Sequence, residues 1–336
     1  MPRGRAAGGI QGHRSSALMD ISFLLFSHGR RLTSEEGLPV NGSEPLRVAI
    51  LGAGLIGIDL LTKVQRSAVL DCQLVVGRDD RAYGLRRAAA LGCATAADGI
   101  RSLVAADRPF DIVFDASNAL SHVEHWKSLE PLGTRLVDLT PSMVGHMVAP
   151  TVNGADARSH RNVNLISCTG QAAVPILHAL TRRHPAEYIE VVTTAASASV
   201  GRATRLNLDE YIDTTQDAVR TFTGVPEIKV MVNLSPASPP AMFRVAMSLL
   251  GGGFDAESVR ADVEDAAARV RAFAPGLTVK ACTVTGDRVF VAVEVAAAGE
   301  RIPRHMGNVD IINAAAVLVA ERWALSDAAI ATTGVS

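Results

Sequence analysis

Apolar residues in this chain follow two rhythms, short unbroken runs and stretches with helical spacing, and the two alternate from Leu46 onward. Leu46-Arg47-Val48-Ala49-Ile50-Leu51 reads as a strand buried on both faces, and Ile58 to Val64 as the helix after it. The same reading gives a strand at Cys72 to Gly77 and a helix at Tyr83 to Leu91. A short helix at Ile100 to Ala105, a strand at Phe110 to Asp115, a helix at His122 to Leu129 and a strand at Arg135 to Thr140 follow. Such alternation predicts a parallel sheet with helices on both faces. Val163 to Ser167 reads as one more strand and Ala172 to Arg182 as a helix.

After Arg182 the pattern changes. Strands are expected at Tyr188 to Ala195, Ile228 to Asn233 and Phe243 to Leu250. Helices are expected at Asp209 to Phe222, closed by Gly224, and at Ala256 to Phe273, ended by Pro275-Gly276. Leu277 to Val284 and Arg288 to Val295 form a hairpin around Thr285-Gly286-Asp287. Asn308 to Trp323 is an apolar helix expected to lie against the first unit.

Composition bounds the partners. The chain has 336 residues, 48% hydrophobic and 20% charged, with a formal net charge of -1, which gives no reason to expect nucleic acid or a membrane surface. No apolar run approaches the roughly 20 residues that span a bilayer, and a cytoplasmic location is expected. Cys72, Cys93, Cys168 and Cys282 are widely spread without a C-x-x-C pair, so reduced thiols are expected. Residues 1–44 hold Arg3, Arg5, Arg14, Arg30 and Arg31 among Gly and Ser, and read as a disordered or non-native extension.

The turn after the first strand is Gly52-Ala53-Gly54-Leu55-Ile56-Gly57, a G-x-G-x-x-G between strand and helix. Its glycines serve a tight turn, close approach to a pyrophosphate and close helix packing. The acidic partner for a ribose 2′-OH belongs about 20 residues on, which selects Asp79, with Asp80 as alternate; Arg78 leaves room for a 2′-phosphate, so NADP stays open beside NAD. Ala116, Ser117 and Thr140 follow strand ends and face the same crevice. His122 and His125 are expected on the surface, and no metal site is expected.

These features give an α/β fold class: a Rossmann-type dinucleotide-binding domain at residues 45–165 and an α+β catalytic and dimerisation domain at residues 166–303. Residues 304–330 form a C-terminal helix returning to the first domain. Cys168 falls at the junction, after Leu165-Ile166-Ser167 and before Ala172-Ala173-Val174-Pro175. Beside a helix N-terminus a thiol gains reactivity, and the same N–H groups can receive an oxyanion. Ala196 to Arg205 reads as a flexible polar loop suited to phosphate.

From about Arg47 to Arg322 the chain resembles the acylating acetaldehyde dehydrogenase family. The resemblance is carried by Val48 to Gly57, Asp111 to Ala116, Asp138-Leu139-Thr140-Pro141, Cys168-Thr169-Gly170-Gln171-Ala172, Thr204 to Glu210 and Gly307 to Ile311. It implies oxidation of acetaldehyde with NAD and coenzyme A to acetyl-CoA, beside a 4-hydroxy-2-oxovalerate aldolase in aromatic degradation. It also implies a homodimer within a larger complex. By motif, Cys168 matches the acyl-thioester cysteine and Ala53 to Ile56 the cofactor turn. Ser199, Val200, Gly201, Arg202, Ala203, Thr204, Arg205, Leu206 and Asn207 match a second NAD-contacting loop, and Asn308 a third contact. Asn207 and Leu208 match residues near the channel from the aldolase.

The chain departs from the family pattern in four places. It has Ala53-Gly54-Leu55-Ile56 for Ser-Gly-Asn-Ile, and Cys168-Thr169-Gly170-Gln171 for Cys-Gly-Gly-Gln. It has Arg202-Ala203 for Pro-Gly, and Phe243-Arg244-Val245 for Met-Arg-Asp. Alternatives therefore stay open: a reductase of a larger acyl-CoA, or a semialdehyde dehydrogenase needing a histidine base from His178, His184 or His305. A third is an NAD(H)-binding sensor with an inert Cys168.

Overall fold

The first apolar run becomes the centre of a sheet. The structure is a computed structural model that describes residues 44–299 and 301–333, so the expectation for residues 1–43 lies outside it. In chain order the first part holds β1 (Leu46–Leu51), α1 (Leu55–Val64), β2 (Leu70–Val76), α2 (Tyr83–Ala90), β3 (Ala94–Ala96), α3 (Ile100–Val104), β4 (Ile112–Asp115), α4 (Ala119–Leu129), β5 (Arg135–Asp138), β6 (His146–Met147) and β7 (Asn162–Asn164). These strands make a seven-stranded parallel sheet in the order β3-β2-β1-β4-β5-β7-β6.

The unbroken apolar run of β1 is explained by burial on both faces. Val48 and Ile50 pack with Leu60 and Leu61 of α1, while Ala49 and Leu51 pack with Leu103 and Leu129 from the helices of the other face. The strand order reverses between β1 and β4, the kind of switch point at which such sheets take ligands, outside the strand C-termini.

The second part holds α5 (Cys168–Thr181), β8 (Ala186–Ala196), α6 (Arg202–Leu206), α7 (Leu208–Thr223), β9 (Glu227–Ser235), β10 (Phe243–Gly251), α8 (Ala256–Arg271), β11 (Leu277–Thr285), β12 (Arg288–Val295) and α9 (Gly307–Thr333). Its sheet runs β11-β12-β10-β8-β9, with β8 and β9 parallel and the other pairs antiparallel. One face buries Val191, Thr193, Val245, Met247 and Val291. Helices α7 and α8 pack on α5, which also contacts β8, β10 and α9. The described residues contain no helix long and apolar enough to cross a membrane.

Several expected boundaries move. The strand expected at Val163 to Ser167 ends at Asn164, because Ile166 takes a left-handed backbone with φ 64°. α5 starts at Cys168 and not at Ala172, with Ser167 as its N-cap accepting the Gly170 N–H at 2.9 Å. The polar loop expected after Ala195 is largely folded: a 3-10 turn at Ser197–Ser199 and then α6. α9 continues past Trp323, and its indole N–H is satisfied by the Ala157 carbonyl at 3.0 Å. β3 and β6 are too short to show periodicity.

Candidate active site

Cys168 is the first residue of α5, half-buried where the two sheets meet. Gln171 holds this turn in place, its amide donating to the carbonyls of Val148 at 2.8 Å and Leu165 at 2.9 Å. Ile166 is held in its unusual conformation by Asn164, whose Oδ1 accepts the Ile166 N–H at 2.8 Å.

The sulfur does not face an empty helix terminus. Gly170 N–H donates to Ser167 Oγ, and Gln171 N–H to the Ser167 carbonyl. Thr169 N–H donates to the Tyr211 hydroxyl at 3.2 Å, and that hydroxyl lies 2.9 Å from Cys168 Sγ. Burial pushes the Cys168 thiol up to about 11, against the lowering effect of Tyr211 and the N–H groups of Thr169 and Cys168. The expectation of a thiol pKa lowered by the helix N-terminus is thus corrected. Desolvation of the anion outweighs a dipole whose N–H groups are mostly engaged.

The glycine turn follows β1 at this switch point. Gly52 has φ 116°, and a Cβ there would lie 2.5 Å from the Ala116 carbonyl oxygen at the end of β4. At Gly57 a Cβ would lie 1.9 Å from the Gly52 oxygen, so α1 can lie against the turn only without one. Gly54 is the α1 N-cap in extended conformation, with nothing within 4 Å of the position of its absent Cβ. That open space, beside Leu55 and Ile56 at the start of α1, fits a dinucleotide pyrophosphate. Asp79 lies in the exposed turn after β2, one carboxylate oxygen accepting the Arg81 N–H at 2.9 Å, and Asp80 is exposed beside it.

The other expected contacts converge in part. Asn308, at the start of α9, donates to the Ser199 carbonyl at 3.0 Å, and its buried Oδ1 has no partner. An unpaired buried acceptor of this kind fits an amide donor of a ligand. Nearby, Val309 packs with Ile56, and Asn313 donates to the Ile56 carbonyl at 3.0 Å. The glycine turn, Ser199 and Asn308 are therefore joined through α9. Arg205 braces its own loop, donating to the carbonyls of Ser197 at 2.6 Å and Val200 at 3.2 Å. Leu206 is exposed and Asn207 buried; the side chains of Arg202 and Ala203 lie outside the described residues, and their backbone belongs to α6. Among the described residues, neither Asp79 nor Arg205 is a hydrogen-bond partner of Cys168.

His122 and His125 are not surface residues. Both are buried, and each ring presents Nδ1 to Asp115 Oδ2, at 3.0 and 2.8 Å; His122 Nδ1 is also 3.4 Å from Asp138 Oδ1. Burial opposes the charge on Asp115, but the two histidines outweigh it and bring the carboxyl down to about 2. Burial pushes Asp138 up to about 6, with Asp115 adding to the rise against His122. His122 itself is raised, the two aspartates outweighing desolvation. The ligand atoms of Asp115, His122 and Asp138 lie within 4.8 Å of one another. An ionised carboxylate oxygen only accepts, so the 3.0 Å approach of His122 Nδ1 to Asp115 Oδ2 assigns the donor role to that nitrogen. Ser117 and Thr140, expected to line the crevice, donate their N–H groups to Asp115 at 3.1 Å and Asp138 at 2.7 Å.

Comparison with known proteins decides the lineage. Residues 168–303 match the family model described as "Prokaryotic acetaldehyde dehydrogenase, dimerisation". An acetaldehyde dehydrogenase of Streptomyces griseus subsp. griseus is 55% identical over 293 residues, covering 87% of this chain and 95% of that protein. The chain belongs to the acetaldehyde dehydrogenase family. Acetaldehyde dehydrogenases of Pectobacterium atrosepticum and Geobacillus stearothermophilus are 40% and 39% identical, and the matches cover 84% and 83% of this chain and 96% of each of those proteins. Among solved structures, aspartate semialdehyde dehydrogenase II from Vibrio cholerae, complexed with ASA, superposes with TM-score 0.56 at 16% identity, covering 83% of this chain and 98% of that one. At that identity the likeness speaks for the fold alone.

In this family member the sequence pattern missed Tyr211, which meets the cysteine sulfur, and Thr193, which bonds the neighbouring Thr169. Tyr211 is 43 positions from Cys168 and sits in an amphipathic helix like any buried tyrosine, so no local signal marks it. Two of the three histidines weighed as bases point elsewhere, and the third, His305, has a buried Nε2 without a hydrogen-bond partner. His178 is bonded through Nδ1 to the Phe222 carbonyl at 2.7 Å, and His184 lies 3.3 Å from Asp262. Among the described residues no histidine is a hydrogen-bond partner of Cys168. Val245 is fully buried on β10, directly opposite Thr193 on β8.

Proposed function

We propose that this chain is a CoA-acylating acetaldehyde dehydrogenase, converting acetaldehyde, NAD and coenzyme A to acetyl-CoA and NADH through a thioester on Cys168. The observation that carries the reading is Cys168 itself. A reactive residue type stands at the first position of a capped helix, at the junction of a dinucleotide crevice and the domain matched to the family.

The Cys168 thiolate adds to the aldehyde carbon, making a C–S bond and leaving the oxygen as an alkoxide. Bound NAD supplies the acceptor for the hydride that leaves this carbon. The chain's part is to hold the carbon on sulfur and to keep water from the thioester, which the buried setting of Cys168 favours. The CoA thiolate then adds to the thioester carbon, the Cys168 C–S bond breaks, and the electron pair returns to Cys168 sulfur.

Gly52, Ala53, Gly54, Leu55, Ile56 and Gly57 would hold the pyrophosphate, Asp79 the adenosine ribose, and the loop from Ser199 to Asn207 with Asn308 the far half of the cofactor. Residues 45–165 act as the cofactor domain and residues 166–303 as the catalytic and dimerisation domain, in a cytoplasmic homodimer. A 4-hydroxy-2-oxovalerate aldolase is the proposed source of the aldehyde.

The test is direct. Incubation with NAD, CoA and a panel of aldehydes yields CoA-dependent NADH, fastest with acetaldehyde, and an acyl adduct on Cys168 detectable by mass. Phosphate replacing CoA, or cofactor binding without turnover, contradicts the reading. So does full activity in Cys168→Ala.

A further inference from the structure

We propose that Tyr211 is a catalytic residue of this chemistry: its phenol is the hydrogen-bond donor to the Cys168 sulfur anion, set in that role by a hydroxyl chain through Thr169 and Thr193. The inference deepens the reading of Cys168 given above and rests on it.

Tyr211 lies in the first turns of α7, buried, with its hydroxyl 2.9 Å from Cys168 Sγ. A phenol has one proton to give and two lone pairs. The Thr169 N–H, which can only donate, takes one lone pair at 3.2 Å. Thr169 Oγ1 lies 2.6 Å from the phenol oxygen and 2.6 Å from Thr193 Oγ1.

Two proton orders satisfy this chain. With a thiol, S–H donates to the phenol, the phenol to Thr169, and Thr169 to Thr193. With a thiolate, sulfur has no proton and can only accept. The order then reverses: Thr193 donates to Thr169, Thr169 to Tyr211, and Tyr211 to sulfur. Thr169 N–H donates to the phenol in both states, so the phenol oxygen is fully engaged once the order has turned.

The hydroxyl chain reorients but carries no proton away; the thiol proton leaves to solvent water, which the half-buried Cys168 still reaches. Thr193 has no onward hydrogen bond among the described residues, and its partner across the strands is the buried Val245. Burial keeps Tyr211 well above its usual pKa, so it retains its proton and is not a base. No charged side chain among the described residues acts on the thiol. Tyr211 is therefore the side chain that meets the negative charge on sulfur. That charge appears twice: before sulfur attacks the aldehyde carbon, and when the C–S bond to Cys168 breaks in favour of CoA.

The experiment is alkylation of Cys168 by iodoacetamide in the full chain, followed by mass against pH. Tyr211→Phe is expected to slow alkylation at about pH 8 by roughly 10- to 100-fold and to move the midpoint upward, the worth of a hydrogen bond to a charged group. Thr169→Val keeps the N–H but removes the relaying hydroxyl, and is expected to give a smaller loss that Thr169→Ser restores. In the same variants kcat for CoA-dependent turnover falls while KM for the aldehyde holds.

An unchanged alkylation profile in Tyr211→Phe with a wild-type thermal melt overturns the proposal. If that variant fails to fold, 3-fluorotyrosine at position 211, a stronger donor, is read instead: faster alkylation supports the proposal and an unchanged rate overturns it. Alkylation needs neither NAD nor CoA. A wild-type chain without aldehyde turnover would thus sink the thioester reading and leave the Tyr211 result standing.

Discussion

Asn164 holds Ile166 in a left-handed backbone conformation: its Oδ1 accepts the Ile166 N–H at 2.8 Å, with Ile166 at φ 64°. A β-branched residue there is strained by about 1–2 kcal/mol, and the bend it makes turns the chain from β7 into the Ser167 cap of α5. Asn164 is itself fixed by donating to Asp138 at 2.8 Å and to the Thr140 carbonyl at 3.0 Å.

Asn164→Ala leaves the Ile166 N–H and Asp138 short of a partner in a buried site, at a cost of about 1–3 kcal/mol. The expected outcome is a lower Tm together with a larger fall in kcat than in cofactor affinity, since the displaced element carries the nucleophile. Chemical denaturation and NADH titration check it. Equal losses in both, or none, would show that the bend does not position Cys168.

The glycine turn offers a separation of folding from binding. Gly57→Ala places a Cβ 1.9 Å from a backbone oxygen and is expected to unfold or shift the turn. Gly54→Ala meets nothing within 4 Å and is expected to keep its folding stability within about 1 kcal/mol of wild type. Its NAD affinity should nevertheless drop at least tenfold, because a pyrophosphate must approach that backbone. Calorimetric titration of NAD into both variants is the measurement, and unimpaired binding by Gly54→Ala would move the cofactor elsewhere.

Cys168 is held as a thiol at neutral pH, its pKa pushed up to about 11 by burial. Its alkylation in the free enzyme should therefore rise roughly tenfold per pH unit from about pH 7 to 10. A rate already level near pH 8 would mean that the N–H groups at the helix start outweigh desolvation.

The buried Asp115 network predicts a shaped dependence of stability on pH. Asp115, down at about 2, contributes stability that is present above the ordinary carboxylate range and lost as pH falls through its folded value. Asp138, up at about 6, works the other way: the folded state binds its proton more tightly, so stability declines as pH rises from about 4 to 6. His122, raised, contributes below its ordinary pKa, and that share is lost as pH rises through its folded value. Asp115→Asn is expected to cost about 3–5 kcal/mol at neutral pH, since it strands buried histidines without their anion. It should also flatten the loss of Tm between about pH 4 and 2. Thermal melts across pH check both, and an unaltered acid limb would remove Asp115 from the account.

The order of elements was legible because burial imposes periodicity. β1 is buried on both faces and reads as an unbroken apolar run, and the glycine turn is fixed by steric contacts within a few residues of itself. Family motifs marked Cys168 as the candidate nucleophile. The start of α5 was misplaced because a capping serine, a left-handed Ile166 and a cysteine carry no hydrophobic rhythm. His122 and His125 looked like exposed helix positions because nothing local shows that the strand-end Asp115 meets both rings and Asp138 the first.

By itself the sequence determined the order of strands and helices and the glycine-rich turn after β1, and it marked Cys168 as the proposed nucleophile. Each of these depends on neighbours within a turn or two of chain. Only the tertiary structure decided what surrounds the sulfur. Tyr211 from α7 and Thr193 from β8 meet Cys168 and Thr169 because α5 packs between α7 and the second sheet. Hydrogen bonds and desolvation act over a few ångströms of space, whatever the distance along the chain, and so the reactivity of Cys168 is set by packing.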